Sequence, residues 1–336
     1  MMTLFTKRIL PLFFLFFLLS GCGGGAADEG GGAGGGGGGT ASLSSINDWF
    51  YQLQGGDAGI DLTAIGDTAY DLIVIDYSRD GSGDEEFTND EIDELKNSSG
   101  GAKIVLAYMS IGEAEDYRFY FDPSWIDGSG ELTAEAPDFF DEANPDWPGN
   151  YKVRYWDSDW QTIIFGYLDR IIDAGFDGVY LDIIDAFEYF GPDGDVPERP
   201  TAAEDMIDFV LAIASYARET RGVADFLVFP QNGASILDAE GGDTYLETVD
   251  GIGTEDTFYF GDDDIDNPLD LEHAATVTPY LDQFVEAGKT VLAIDYLQDN
   301  DKLADFYQRC GDSGYIPYSS VRELDQIVIN LGFEPD

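Results

Sequence analysis

Two aspartates stand where an apolar run ends, in the stretch Gly175-Phe-Asp-Gly-Val-Tyr-Leu-Asp-Ile-Ile-Asp185. Gly178 to Leu181 predicts a short buried strand, and a buried strand has no cheap way to hold an unpaired charge. At the strand's exit, Asp182 and Asp185 can instead face a solvent-filled cleft. In parallel α/β architectures the chemistry gathers at those exits. The same two residues also suit a plainer role, capping the next helix or pairing with a nearby base. This segment alone leaves both open.

Other apolar runs end in the same way. Tyr51 and Gln52 close the first, Asp76 and Tyr77 the second. The third, which carries Tyr108, runs into Glu113, with Asp116 and Arg118 close behind. Gln231 and Asn232 follow the fifth, Glu255 and Asp256 the sixth, Asp295 and Tyr296 the seventh. On a closed barrel all of these would ring one mouth. The chain has 1 histidine, His273, placed on an expected surface helix. That count leaves no histidine-rich zinc site and no iron facial triad. A Ser-His-Asp triad would have only His273 to use, and no G-x-S-x-G elbow accompanies it. Neither a dinucleotide G-x-G-x-x-G nor a Walker loop is present. The available chemistry is that of carboxylates, amides and tyrosines. Glycoside hydrolysis needs this set: one carboxylic acid protonates the leaving oxygen while a carboxylate attacks the anomeric carbon or activates water. Neighbouring negative charge keeps one member protonated near neutrality. Asp76-x-Ser-x-Asp80-Gly81 resembles the opening of a calcium loop, but Phe87 stands where the closing glutamate is needed. The run Asp262-Asp-Asp-Ile-Asp266 reads as a solvated loop more readily than as a cation site. No metal or cofactor is expected.

The elements that would hold these residues are well marked. Eight strand candidates occur: 49–53, 72–76, 104–108, 178–182, 226–229, 251–255, 291–295 and 315–318. Most are continuous apolar runs, as parallel strands covered on both faces require. Capping boxes at Thr88–Glu91, Ser158–Gln161 and Thr201–Glu204 predict helix starts. Gly175 predicts the end of the second of these helices, and a further helix is expected over 279–287, ended by Gly288. Alternation of this kind predicts an α/β fold, a (β/α)8 TIM barrel. Residues 112–157 are expected to be irregular. Their Trp125, Trp147 and Trp156 could stack on sugar rings or pack the loop down.

The N-terminal region reads differently. Lys7 and Arg8 precede an apolar run from Ile9 to Leu19, too short for a membrane span and suited to a signal peptide. Leu19-Ser-Gly-Cys22 resembles a bacterial lipoprotein processing site, which implies cleavage after residue 21 and lipid on Cys22. Gly23 in place of aspartate then implies the outer membrane within the cell envelope. Residues 22–41 are glycine-rich and predict a flexible tether, with the barrel over 42–336. Cys310 is then the sole remaining thiol, so no internal disulfide is expected. The formal net charge is −51, from 16 basic and 67 acidic residues, which excludes nucleic acid as a natural partner. Such a surface suits either a salty habitat or a cationic substrate.

Several segments together resemble the endo-α-1,4-polygalactosaminidase family, glycoside hydrolase family 114, in its bacterial and archaeal branch. They are Trp49–Leu53, Asp71–Ser78, Ala107–Arg118, Asn144–Tyr151, Gly175–Asp185, Pro230–Gly233 and Gly253–Asp256. The resemblance implies a (β/α)8 barrel that cleaves an α-1,4-linked galactosamine polymer. It also implies two reacting carboxylates, an aspartate after strand 4 and a glutamate after strand 6. These fall on Asp182, as nucleophile, and Glu255, as acid/base, with the two roles exchangeable. The remaining exit residues, Asp185 among them, would contact or support an amino-sugar polysaccharide. A non-catalytic binding barrel, or a glycosidase for another α-linked surface polymer, is the alternative.

Overall fold

The computed structural model describes residues 42–336. The expected signal peptide, Cys22 and the whole of the tether lie outside the described residues. Eight parallel strands carry the architecture: β1 (Trp49–Gln52), β2 (Leu72–Ile75), β3 (Ile104–Ser110), β4 (Gly178–Asp182), β5 (Leu227–Pro230), β6 (Gly251–Glu255), β7 (Thr290–Asp295) and β8 (Ile316–Ser319). β1 to β5 pair in sequence order, as do β6 to β8. Gln231 bridges Gly253 in parallel and the Asn232 amide donates to the Gly253 carbonyl at 2.9 Å, joining β5 to β6. At the other seam the Trp49 indole donates to the Ile316 carbonyl at 2.9 Å, setting β1 against β8. The fold is the expected (β/α)8 barrel. Nearly every strand residue is buried, which follows from apolar runs covered inside by aromatics and outside by helices.

The barrel interior is filled by rings. Tyr180 of β4 lies 5.2 Å from Tyr51 and 6.3 Å from Trp49, and Trp49 lies 5.8 Å from Tyr318. Glycines on β6 make room for them. A Cβ on Gly253 would stand 1.8 Å from the Tyr180 hydroxyl, and one on Gly251 would stand 2.2 Å from the Phe229 ring.

Helices cross between the strands: α1 (Leu62–Gly66), α2 (Asn89–Lys96), α3 (Ser158–Asp173), α4 (Ala186–Phe190), α5 (Ala202–Ser215), α6 (Gly242–Thr248), α7 (Leu271–Glu286) and α8 (Asn300–Ser313). The expected Thr88 capping box is present. The other two starts differ. α3 is capped by Asp157, whose carboxylate accepts from the Asp159 amide at 2.8 Å. Thr201 makes no cap, because its hydroxyl donates instead to Asp205, which Arg199 also holds. α7 begins eight residues before Pro279, started by Asp270, which accepts from the Glu272 and His273 amides.

Residues 112–157 are also more regular than expected. Strands Glu113–Glu115, Asn150–Val153 and Phe140–Ala143 form an antiparallel sheet over the β3 exit, with 150–153 in the centre. Trp125 packs on Phe121 and Phe140 at 5.2 and 5.4 Å, and Trp156 on Tyr155 and Phe190 at 5.0 Å each. Of the three tryptophans only Trp147 is largely exposed.

Candidate active site

The mouth of the barrel is built at the exits of β3 to β7. Asp182 is the last residue of β4, held in parallel register with Ser110 of β3. Its Oδ2 accepts from the Tyr108 hydroxyl at 2.7 Å and its Oδ1 from the Ile183 amide at 2.8 Å. Glu255 closes β6. Its Oε2 accepts from the Gln231 and Asn232 side-chain amides, the latter at 3.2 Å, and its Oε1 from the Tyr296 hydroxyl. The Asn232 side chain is doubly used, since its Oδ1 accepts from the Glu255 backbone amide at 3.0 Å.

Both carboxylates sit in surroundings that disfavour charge. Burial and then the charge of Glu255 push Asp182 well above the usual carboxylate range, against the pull of Tyr108 and the Ile183 amide. Burial also raises Glu255, against the pull of Tyr296; the charge of Asp256 adds to the rise, while Arg322 and Asn232 oppose it. The two thus form a coupled pair in which one proton is readily retained.

The backbone turns sharply beside each of them. Ile183, Asn232 and Asp256 have φ of 59°, 58° and 52°, in the left-handed region that non-glycine residues rarely adopt. Each directly follows a residue of the site: Asp182, Gln231 and Glu255. Such strain is held at functional sites by surrounding structure. At Asp256 the holder is visible, a two-pronged ion pair with Arg322 at 2.9 Å for each bond. The Arg322 guanidinium lies 4.1 Å over the Tyr296 ring, so it fixes both the turn and a Glu255 donor. Sequence reasoning missed Arg322. It stands three residues beyond β8, whose exit offers serines and no carboxylate to draw attention to it.

Asp185 begins α4, makes no side-chain cap there, and is exposed in the mouth. Its crowded setting, then Glu188, Glu113 and Glu255, push it up to about 7. Glu113 lies in the antiparallel sheet and accepts from Asn144 and Asn150 at 2.8 and 3.3 Å.

Other predicted residues lie beneath this layer. Arg118 is buried with Asp76 and Glu115, at 2.7 and 2.6 Å, under the rings of Tyr77, Tyr108, Tyr117 and Tyr167. Its charge is consumed there, tying β2 to the antiparallel sheet. Asp295 is fully buried and accepts from the backbone amides of Thr257, Phe258 and Tyr259, so it holds the loop that follows Glu255. Tyr51 is 1% exposed and donates to Gln231 at 3.1 Å. The Gln52 side-chain amide is buried and donates to the Gln54 carbonyl at 2.6 Å. His273 stacks on Phe260 at 3.9 Å. Among the described residues no group of three or more His, Cys, Asp or Glu side chains is arranged to hold a metal ion.

Residues 39–332 match the model of glycoside-hydrolase family GH114. The chain belongs to family GH114. A Thermotoga maritima protein of unassigned function is 39% identical over 298 residues, covering 86% of this chain and 85% of the relative. One from Methanocaldococcus jannaschii is also 39% identical, over 293 residues, covering 83% and 77%. Among solved structures, the glycoside hydrolase domain of PelA from Pseudomonas aeruginosa superposes with a TM-score of 0.61 at 14% identity, covering 84% of this chain and 98% of that one. Aspergillus fumigatus Ega3, in complex with galactosamine, gives 0.57 at 17%, covering 86% and 98%. At such identities these two structures speak to the fold. The GH114 barrel therefore carries, at its C-terminal mouth, carboxylates and amide donors suited to glycosidic bond cleavage.

Proposed function

We propose that this GH114 protein is an endo-acting glycosidase for an α-1,4-linked galactosamine-type polysaccharide, with Asp182 and Glu255 as the reacting carboxylates. The observation that carries the reading is the pair itself: two carboxylates on β4 and β6, mutually coupled, each gripped by a tyrosine at the mouth of a GH114 barrel. In the reaction one carboxylic acid gives its proton to the glycosidic oxygen as the bond to the anomeric carbon breaks. The other carboxylate meets the developing positive charge at that carbon, by direct attack or by deprotonating a water.

The free site bears on which is which. Glu255 accepts from three side-chain donors and Asp182 from one, which favours Glu255 as the ionised member. That distribution opposes the roles the family resemblance implies. Azide rescue decides: Asp182→Asn and Glu255→Gln each lose turnover, and the variant whose activity azide restores as a glycosyl azide identifies its residue, with the anomer formed distinguishing nucleophile from acid/base.

Substrate class follows from charge. The charges of Glu188 and Glu113 both bear on Asp185 at the mouth. Such a mouth favours a cationic, partly deacetylated amino-sugar chain, the chemistry of the galactosamine bound in the Ega3 structure. The test is release of reducing ends from galactosaminogalactan, chitosan and neutral glucans. Turnover confined to neutral glucans would sink the assignment, as would tight binding of every polymer without turnover.

We also propose that the mature protein is anchored in the cell envelope, at the outer membrane, by lipid on Cys22. Leu19-Ser-Gly-Cys22 after the basic and apolar segments supports this. Cys22→Ser should move the protein from the membrane to the soluble fraction.

A further inference from the structure

We propose that Tyr51 is a positioning residue: its hydroxyl holds the far end of the Gln231 amide that donates to Glu255. The proposal rests on reading Glu255 as a reacting carboxylate. Tyr51 lies inside the barrel on β1, 1% exposed, where no polysaccharide reaches. Its hydroxyl donates to Gln231 Oε1 at 3.1 Å, which leaves the amide nitrogen for Glu255 Oε2. Turned over, the amide would set its oxygen against an ionised carboxylate, two acceptors with no proton between them. Ionised Glu255 thus sets which end of the amide it meets, and the Tyr51 hydroxyl holds and polarises the far end, strengthening the bond to Glu255.

The chain of three is rigid at each link. The Tyr51 ring is stacked on Trp49, 6.0 Å away at 24°, and packed on Tyr180 at 5.2 Å. Gln231 is buried, and its backbone is fixed by the bridge to Gly253 and by the hydrogen bond its N–H donates to the Leu181 carbonyl at 2.8 Å. The relay spans β1, the β5 exit and β6, so a group on one side of the barrel sets a hydrogen bond on the other. The other groups that face Glu255 are Asp182, Asp185 and Tyr180 from β4 and its exit, Asn232 beside Gln231, Asp256 in its own turn, Tyr296 from β7 and Arg322 from the C-terminal segment. Of these, Tyr296 and Asn232 keep their own bonds to Glu255 when Tyr51 is changed, so any shift reports the Gln231 link.

Tyr51→Phe retains the ring packing and removes the hydroxyl. In domain labelled with carboxyl-13C glutamate, with the Glu255 signal assigned by its loss in Glu255→Gln, the Glu255 titration should move up by roughly 0.5–1 pH unit. On a polymer the wild type cleaves, kcat should fall about 10-fold with KM unchanged, and the acid limb of kcat/KM should move in the same direction. 4-Aminophenylalanine at position 51 keeps a donor and should restore the wild-type titration. In a Gln231→Leu background, Tyr51→Phe should add nothing. An unchanged Glu255 titration in Tyr51→Phe, or full additivity with Gln231→Leu, overturns the proposal. The titration needs no turnover, so a domain that hydrolyses nothing would defeat the glycosidase reading and still show whether Tyr51 governs the Glu255 proton.

Discussion

Asp182 and Glu255 are treated unequally by their neighbours, and their responses to substitution should differ accordingly. Replacing either by its amide should lower kcat by about 10³-fold or more while leaving thermal unfolding nearly unchanged, since the amide fills the same space. Retained turnover in either variant would remove that residue from the pair. Tyr108→Phe tests a subtler point. Its hydroxyl steadies the ionised form of Asp182, whose pKa already lies well above the usual range. Without that bond the pKa rises further, so with Asp182 as the protonated member of the pair the alkaline limb of kcat/KM should move to higher pH. Strand exits could be read from the chain, and Tyr108, Gln231, Asn232 and Tyr296 do stand around the two carboxylates. What an exit does not disclose is direction. Asp76, Arg118 and Asp295 also sit at exits, yet each is turned into protein and spent on an ion pair or on backbone amides. One residue's difference along a strand reverses the face on which a side chain emerges, and sequence leaves that parity open where both faces are buried.

At the level of elements, the strands were easy to locate because both faces are apolar, and the helix starts were harder. Ser158 and Asp157 are adjacent capping residues, and the one that wins is set by how the chain leaves the antiparallel sheet, a tertiary matter. Thr201 lost its cap to Asp205, whose carboxylate competes for the hydroxyl. The sheet within 112–157 escaped notice because its strands are short and pair through a bulged register, with little alternation to betray them. β6 offers a direct test of how tightly element packing governs the site. Gly253→Ala would drive a methyl into the Tyr180 hydroxyl, beneath both carboxylates. We expect a loss of about 1–3 kcal/mol in unfolding free energy, together with lower kcat. An alanine variant with wild-type stability would show that the ring-filled interior can yield.

For the whole molecule, the dominant quantity is negative charge. Many carboxylates have folded-state pKa values above their unfolded values: Asp76 at about 6, Asp185 and Asp295 at about 7, and Glu113 and Asp250 raised as well. Loss of water around the carboxyl, by burial or, for Asp185, by its crowded setting, is the first cause in each. The folded state therefore holds more protons than the unfolded state between about pH 4 and pH 7, and the stability this confers is lost as pH rises through that window. The carboxylates of Glu91, Asp205 and Asp305 are lowered and act oppositely, but below the ordinary carboxylate range. Tm should thus be higher near pH 5 than near pH 8. Salt should narrow the gap, since a formal net charge of −51 repels itself. A Tm that climbs from pH 5 to pH 8 would contradict this balance. The barrel's seam has a consequence in time as well as in space. β1 is met by the last stretch of the chain: the Leu324 carbonyl accepts from the Leu53 and Gln54 amides, the Val328 carbonyl from Tyr70, and Arg322 clamps the turn beside Glu255. As the polypeptide emerges, β1 must wait for residues 316–328 before the ring can shut. A chain broken before Arg322 would lack the clamp on the turn that follows Glu255, however complete the rest of its barrel.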